Sequence, residues 1–537
     1  MSKKHEKKFK NIGEGSEFDD FLYNFLHKIG SGSKSKIYPE FMNKFISDKI
    51  NLLFQKNLHN LNERESLENR MSNLIVPKGE SINIPCIWAI ELYPPSELAI
   101  LKDIFNQKGW DKINKSFNQK SHNDVLKSFR ATQNFGWWKL ATFQAQNSKY
   151  IIPNSIKTNI PTKFDHIDLH AIQVGSGLTA IIGKFSLNES FSNELTEDWH
   201  KQYEPQMLKI NNTIKPLNRK EVATSQIKAK KNSAYSSVRR WMKNNLPGFF
   251  STNNQNQPLF DLNLFEILSS KSYYKYTDAY YAIGLGRPLI QITTPELPNI
   301  YLTEIESSIY QSEDIAPLWT LWGNRKKIFE SLNSDKELFI QLDNEQSLSN
   351  YIDMIAKYNL LLLAITSFLT SLEKIHSEAR DQAIKDYNKF NVESLKKLRS
   401  NFFTISLNLS SLQNDLISYW DFINNYNEIL HFDLEFVKRD SFMDMTSNQD
   451  RVEDFNKMLE KRHKKTIQKL IDADENYRNI INSITSLSVS EDNSKIGRMA
   501  IYVSISSLIV AGITLLFSDI GSKSIVQRII SYILSLM

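Results

Sequence analysis

From Met499 to Phe517 the chain reads MAIYVSISSLIVAGITLLF, nineteen residues without a charge, bounded by Lys495 and Arg498 before and Asp519 after. As a helix it reaches about 28 Å, close to the roughly 30 Å hydrocarbon core of a bilayer. Helices buried in soluble proteins usually keep one polar face and run shorter, so this segment is expected to cross a membrane. The flanking positive charges tie, Lys495 and Arg498 against Lys523 and Arg528, and give no orientation. The basic start Met1 to Lys10 (MSKKHEKKFK) lacks the apolar stretch of a secretory signal, so the large part ahead of the span is expected in the cytosol.

The span carries a second pattern. Ala500, Ser504, Ser507, Ala511, Thr514 and Ser518 recur at steps of three and four and fall on one helical stripe. Small residues let helix backbones approach in lipid and hydroxyls can bond across the contact, so the stripe is expected to drive self-association. A lining of hydroxyls around a pore is the alternative use of the same face. After the span, 518–537 places Ile525, Ile529, Tyr532, Ile533 and Leu536 on one face of an amphipathic tail that is too short to cross.

Ahead of the span the period is helical. Leu395, Leu398, Phe402, Ile405, Leu409, Leu412, Leu416, Tyr419, Ile423, Tyr426 and Leu430 form an unbroken seam of five heptads. A strand cannot use that period, whereas a helix buries it against another helix. Similar spacing runs from Leu360 to Ala379 and from Val452 to Ile484, with polar breaks at 388–391 and 440–448. The spacing predicts three long helices in an antiparallel coiled-coil region over 351–490.

The N-terminal half reads differently. Ser81 to Tyr93 is a β-rich run, stopped by Pro94-Pro95 ahead of a helix from Leu98 to Phe105. Phe135 to Phe143 predicts a strand, and His166 to Val174 with Leu178 to Leu187 predict a hairpin across Gly175-Ser176-Gly177. The fold class expected is therefore an α+β N-terminal domain, a mainly α, coiled-coil-like helical region and a C-terminal transmembrane helix. The corresponding divisions are 1–73 (basic tail and helical region), 74–190 (α+β), 191–258 (basic helix and linker), 259–350 (mixed irregular and helical), 351–490, 499–517 and 518–537.

Few residues point to chemistry. Cys86 is the single cysteine, which excludes a disulfide within the chain and a cysteine-based zinc or iron–sulfur site, and fits a reducing compartment. His166, Asp168 and His170 share one face of a strand and are a candidate metal set, although no ligand from a second element is evident. Gly30-Ser31-Gly32-Ser33-Lys34-Ser35 lacks the glycine spacing of a phosphate loop, and Gly284-Leu285-Gly286 lacks the third glycine of a dinucleotide loop. No catalytic constellation and no cofactor is indicated, which leaves a membrane-tethered enzyme as a reading without a named chemistry.

Charge is uneven. The segment from Lys209 to Asn244 holds ten Lys or Arg against Glu221, a net of +9 where the whole chain carries +6, so the remainder sums to −3. Lys228, Lys230, Lys231, Arg239, Arg240 and Lys243, with Trp241 among them, are expected to form a basic surface for anionic lipid or nucleic acid.

The order of parts resembles the CorA type of magnesium channel: a cytosolic α+β domain, long helices, and a last helix running into the membrane. The resemblance implies an oligomeric membrane protein. That family follows its first span with Gly-Met-Asn and a second full span, whereas here Phe517 is followed by Ser518-Asp519-Ile520-Gly521 and a short tail, so no channel residue carries over. The function expected is a C-terminally anchored homo-oligomer with a cytosolic sensing or recruiting domain, and a pore is the alternative.

Overall fold

The computed structural model describes residues 17–30, 39–67, 73–112, 120–133, 135–146, 148, 152–210, 213–285, 290–293, 297, 299–305, 318–334, 342–387, 392–430, 435–438 and 451–517. Strands β1 (Ile82–Asn83), β2 (Cys86–Tyr93), β3 (Gly136–Ala145), β4 (Ile156–Thr158), β5 (Phe164–Val174) and β6 (Leu178–Leu187) come first, and β7 (Gln206–Ile210) with β8 (Thr213–Leu217) forms a separate ribbon. β9 (Leu259–Phe265), β10 (Ile290–Thr293), β11 (Ile300–Ile305), β12 (Leu318–Asn324), β13 (Glu435–Lys438) and β14 (Arg451–Asp454) complete the set. The helices are α1 (Glu17–Gly30), α2 (Glu40–Leu67), α3 (Leu98–Gln107), α4 (His122–Thr132), α5 (Glu189–His200), α6 (Arg219–Asn245), α7 (Phe249–Thr252), α8 (Thr277–Ala282), α9 (Arg325–Ser334), α10 (Glu345–Tyr387), α11 (Val392–Leu430) and α12 (Phe455–Phe517).

The chain divides into two units. One comprises 1–373 with 407–467, and the other comprises 374–406 with 468–537. In the first, the strands join in one sheet of order β14-β13-β10-β11-β12-β9-β2-β6-β5-β3-β4, with β1 paired to β9. Pairing is antiparallel except at β9/β12 and β3/β4. The expected β5–β6 hairpin is present, and Gly175 turns it at φ +57°, a conformation that favours glycine.

Every residue of β2 and β6 is buried, which requires cover on both faces of the sheet. Adjacent residues of β6 show what supplies it, because side chains alternate along a strand. Phe185 packs edge-on against Trp241 of α6, with ring centroids 5.5 Å apart, while the neighbouring Lys184 donates to Asn350 Oδ1 of α10 at 2.6 Å. The first unit is thus a mixed sheet between helices. α6 begins where Asn218 and Glu221 exchange backbone bonds in a capping box.

Sheet strands also come from 259–454, well beyond 190. The sequence concealed β9 (LFDLNLF) because it buries Asp261 and Asn263. Lys231 reaches both, at 3.0 and 3.1 Å, and Tyr235 donates to Asp261 at 2.6 Å. The end of the 191–258 division, where a linker was expected, is packed instead at Ser251 and Gln257, which are buried and hold Glu91.

Of the heptad seam, Leu409, Leu412, Leu416, Tyr419 and Ile423 are all buried, and Phe402, Ile405 and Tyr426 lie among side chains outside the described ones. The breaks at 388–391 and 440–448, the tail 518–537 and residues 31–35 lie outside the described residues.

One helical segment among the described residues is long and apolar enough to cross a membrane, and it lies mid-chain at Glu345–Glu378 in α10, not at the expected 499–517. Of its apolar window 78% is buried within the protein, the pattern of a core helix. The 499–517 stretch forms the end of α12, where the side chains of several positions lie outside the described set.

Candidate functional site

The sheet face beneath α10 gathers a cluster of charged side chains. β5 pairs His166, Asp168 and His170 with Gln144, Thr142 and Lys139 of β3, and places Asp168 opposite Lys184 of β6. As expected from period 2, His166, Asp168 and His170 point to one face, with His166 Nε2 3.6 Å from Asp168 Oδ2. Asp168, however, is engaged: Lys139 Nζ lies 2.8 Å from Oδ1 and the Thr142 hydroxyl donates to the same oxygen at 2.6 Å. Burial raises the Asp168 carboxyl, and Lys139 with Thr142 more than offsets it, bringing the pKa to about 2. Burial, reinforced by Lys357, lowers the His170 imidazole to about 3, which leaves it neutral. Among the described residues no group of three or more His, Cys, Asp or Glu is placed to hold a metal ion.

Above this face, α10 supplies Asn350, Asp353 and Lys357. Asp353 accepts from Trp88 Nε1 at 2.7 Å and pairs with Lys357 Nζ at 2.6 Å. Burial pushes its carboxyl up, and Lys357 with Lys184 draws it below the usual range. Both carboxylates are thus held by lysines, and the cluster fixes α10 to the sheet. Cys86, buried on the same strand as Trp88, has its thiol pushed up to about 12 by desolvation and is no nucleophile at neutral pH.

A second helix is fastened at two points by polar side chains. Asp415 of α11 accepts from the backbone N–H of Ser176, Gly177 and Leu178 at 2.8, 2.8 and 2.9 Å, in the turn of the β5–β6 hairpin. A Cβ on Gly177 would collide with Ser411 and Asp415, so only glycine admits so close a helix. Asn408, two turns earlier, accepts from Ser96 N at 3.2 Å. Asp415→Ala is expected to lower stability by about 3 kcal/mol, because three donors lose their acceptor. Hydrogen exchange at 176–178 should accelerate, and unchanged protection would contradict the latch.

Glu91 of β2 is a group poised to titrate near neutrality. Its fully buried carboxylate accepts from Phe250 N (2.6 Å), Ser251 Oγ (2.7 Å) and Gln257 Nε2 (3.1 Å). Desolvation outweighs these bonds and raises its pKa to about 7; Glu97, bonded to Thr252, is raised likewise. A carboxyl raised in the folded state stabilises below its unfolded pKa of 4.5, and that contribution is lost as pH climbs through about 7. For Glu91 the loss is roughly 3 kcal/mol. Urea unfolding at pH 5 and pH 8 should show this fall, and Glu91→Gln should remove the Glu91 share while that of Glu97 remains.

The basic residues of α6 do not form one continuous surface. Lys228 sits over the Tyr281 ring at 4.3 Å, Lys230 pairs with Asp198 (2.7 Å) and Glu194 (3.1 Å), and Lys231 is buried on Asp261. Arg239 Nε donates to Gln257 O at 3.1 Å, and Lys243 to Asn254 at 3.3 Å. The reason is that Trp241 packs inward as core, turning the helix so that its cations meet carboxylates and carbonyls of the same unit. Arg240 is exposed and, among the described residues, has no partner.

On the stripe of α12, Ser504 and Ser507 are exposed, only the helical backbone of Ala500, Ala511 and Thr514 is described, and Ser518 lies outside the described residues. Asp353, Lys184, Asp415 and Glu91 escaped sequence reasoning because their partners are distant in the chain and no local pattern marks them.

No family model matches the chain, and no curated protein matches it. Among solved structures it is similar to the complete structure of the CorA magnesium transporter from Methanocaldococcus jannaschii, at 13% identity over 49% of this chain and 77% of that chain, with a TM-score of 0.17. This is the class that the order of parts resembles. A TM-score so low assigns no common fold, and the functional reading rests on this chain's own residues.

Proposed function

We propose that the protein is a membrane-anchored homo-oligomer whose sheet-containing unit senses or recruits a ligand on the cytosolic side and whose long helices carry that state to the membrane. The observation that supports this is the end of α12. Met499, Tyr502, Val503, Ile505, Ile509 and Val510 are each more than half exposed on a helix that runs without interruption from Phe455 to Phe517. Six large apolar side chains in water at one helix end are unfavourable, and a hydrocarbon surround removes that cost.

The arrangement around the helix supports the anchor further. At 100° per residue the six large side chains occupy about 160° of arc, and the positions of the small-residue stripe occupy about 80° on the other side. Ser506, within the apolar arc, donates back to Tyr502 O at 2.8 Å, which satisfies its hydroxyl in lipid. Ser504 and Ser507, on the stripe, make no such bond among the described residues, and a second helix supplies the partner they lack.

Chemical cross-linking of the full-length protein in liposomes tests the reading. A multimeric ladder is expected from the natural sequence and its loss from Ser507→Leu, because leucine holds the backbones apart. Monomer alone from the natural sequence contradicts self-association. The same free hydroxyls favour a pore as the second reading, which predicts ion leakage from those liposomes that Ser507→Leu blocks while the ladder persists.

A further inference from the structure

The eight cations of α6 are disposed unequally: seven are engaged within the protein, Arg219 and Lys220 with Glu204 and Asp278 among them, and the eighth, Arg240, lines a cleft. That cleft, about 640 Å³ in volume, lies between β3, the edge strand β4, the last turns of α6 and the segment following α3. We propose that it binds a small organic anion with a flat ring, of the aryl or nucleoside phosphate class.

Its floor is aromatic. Trp110, Phe143 and Trp241 form a continuous set of rings, with centroids 4.9 Å apart between the first pair and 5.6 Å between the second. Its charge has one sign: Lys108 and Arg240 line it, and among the described residues no carboxylate does. Lys108 Nζ is aimed by a 2.9 Å bond to Asn245 Oδ1 and stands 5.3 Å from the centre of the Trp110 ring. Asn245 is fixed in turn by donating to Trp241 O at 2.8 Å. At the rim, the guanidinium of Arg240 and the amides of Asn159 and Asn244 are free among the described residues.

An aromatic floor with a few unengaged polar groups converging above it, at a volume suited to a mononucleotide, is the usual anatomy of a small-ligand site. The two cations recognise the anionic group, Arg240 with a fork that grips two oxygens at once and Lys108 as a point charge. The inference goes beyond the membrane reading and stands whether or not the chain is anchored.

The test is fluorescence anisotropy of N-methylanthraniloyl-AMP titrated with the full-length protein in detergent. Saturable binding is expected. Arg240→Gln and Lys108→Gln should each weaken it at least tenfold with the thermal midpoint unchanged, since both side chains lie at the cleft rim and neither is core. Phenyl phosphate should displace the probe at lower concentration than inorganic phosphate. Absence of saturable binding, or binding indifferent to Arg240→Gln, overturns the proposal and leaves the two cations as neutralisers of the α6 C-terminus. Equal displacement by inorganic phosphate overturns the requirement for a ring.

Discussion

Replacing Asp353 by alanine is expected to destabilise the folded chain by about 4 kcal/mol, within the range for removing one partner of a buried ion pair. Three groups depend on this carboxylate: the Lys357 ammonium at 2.6 Å, the Trp88 indole N–H at 2.7 Å, and Lys184, whose charge acts on it from the adjacent strand. Lys357 is only 7% exposed and Lys184 1%, so water cannot take over the lost role. Asp353→Asn should cost less, because an amide oxygen still accepts from Trp88 while the attraction to both lysines is lost. Urea unfolding of the full-length protein, followed by tryptophan emission, measures the difference. A loss below 1 kcal/mol for Asp353→Ala would show that the cluster does not hold α10 to the sheet.

What the sequence disclosed and what it withheld divide along a physical line. Periodicity is local, so the seam through Leu409, Leu412, Leu416, Tyr419 and Ile423 was legible, and those residues are buried. The β5–β6 hairpin was legible for the same reason, with Gly175-Ser176-Gly177 marking its turn. Long-range pairing is not local. Asp415 meets the turn across about 240 positions, and Asp353 meets Trp88 across 265. Strand β9 was hidden because Asp261 and Asn263 break its apolar run, and only the tertiary fold brings Lys231 and Tyr235 to satisfy them.

Charge counting misled in a similar way. The net charge of Lys209 to Asn244 correctly marked a basic helix, but a count carries no information about partners, and Lys230, Lys231 and Arg239 have theirs inside the protein. The candidate metal set was correct about the face and silent about Lys139, which holds Asp168. Apolarity alone also does not mark a span: among the described residues the segment long and apolar enough is Glu345–Glu378 of α10, and 78% of its apolar window is buried in the protein.

Removing every residue after Ser494 should have the largest effect of all on where the protein resides. The segment lost carries Met499, Tyr502, Val503, Ile505, Ile509 and Val510, each 51–70% exposed, and at about 0.8 kcal/mol per methylene-sized group transferred to hydrocarbon its contribution dwarfs that of any surface contact. The latches at Asp353 and Asp415 lie outside the deleted region, so the sheet-containing unit retains its bonding. Flotation on a density gradient after reconstitution into zwitterionic liposomes measures the effect most directly, with an alkaline wash to strip peripheral protein. The account predicts that the full-length chain floats with lipid after the wash and that the chain ending at Ser494 stays at the bottom. Equal flotation of the two, or no flotation of the full-length chain, would contradict an anchor at 499–517.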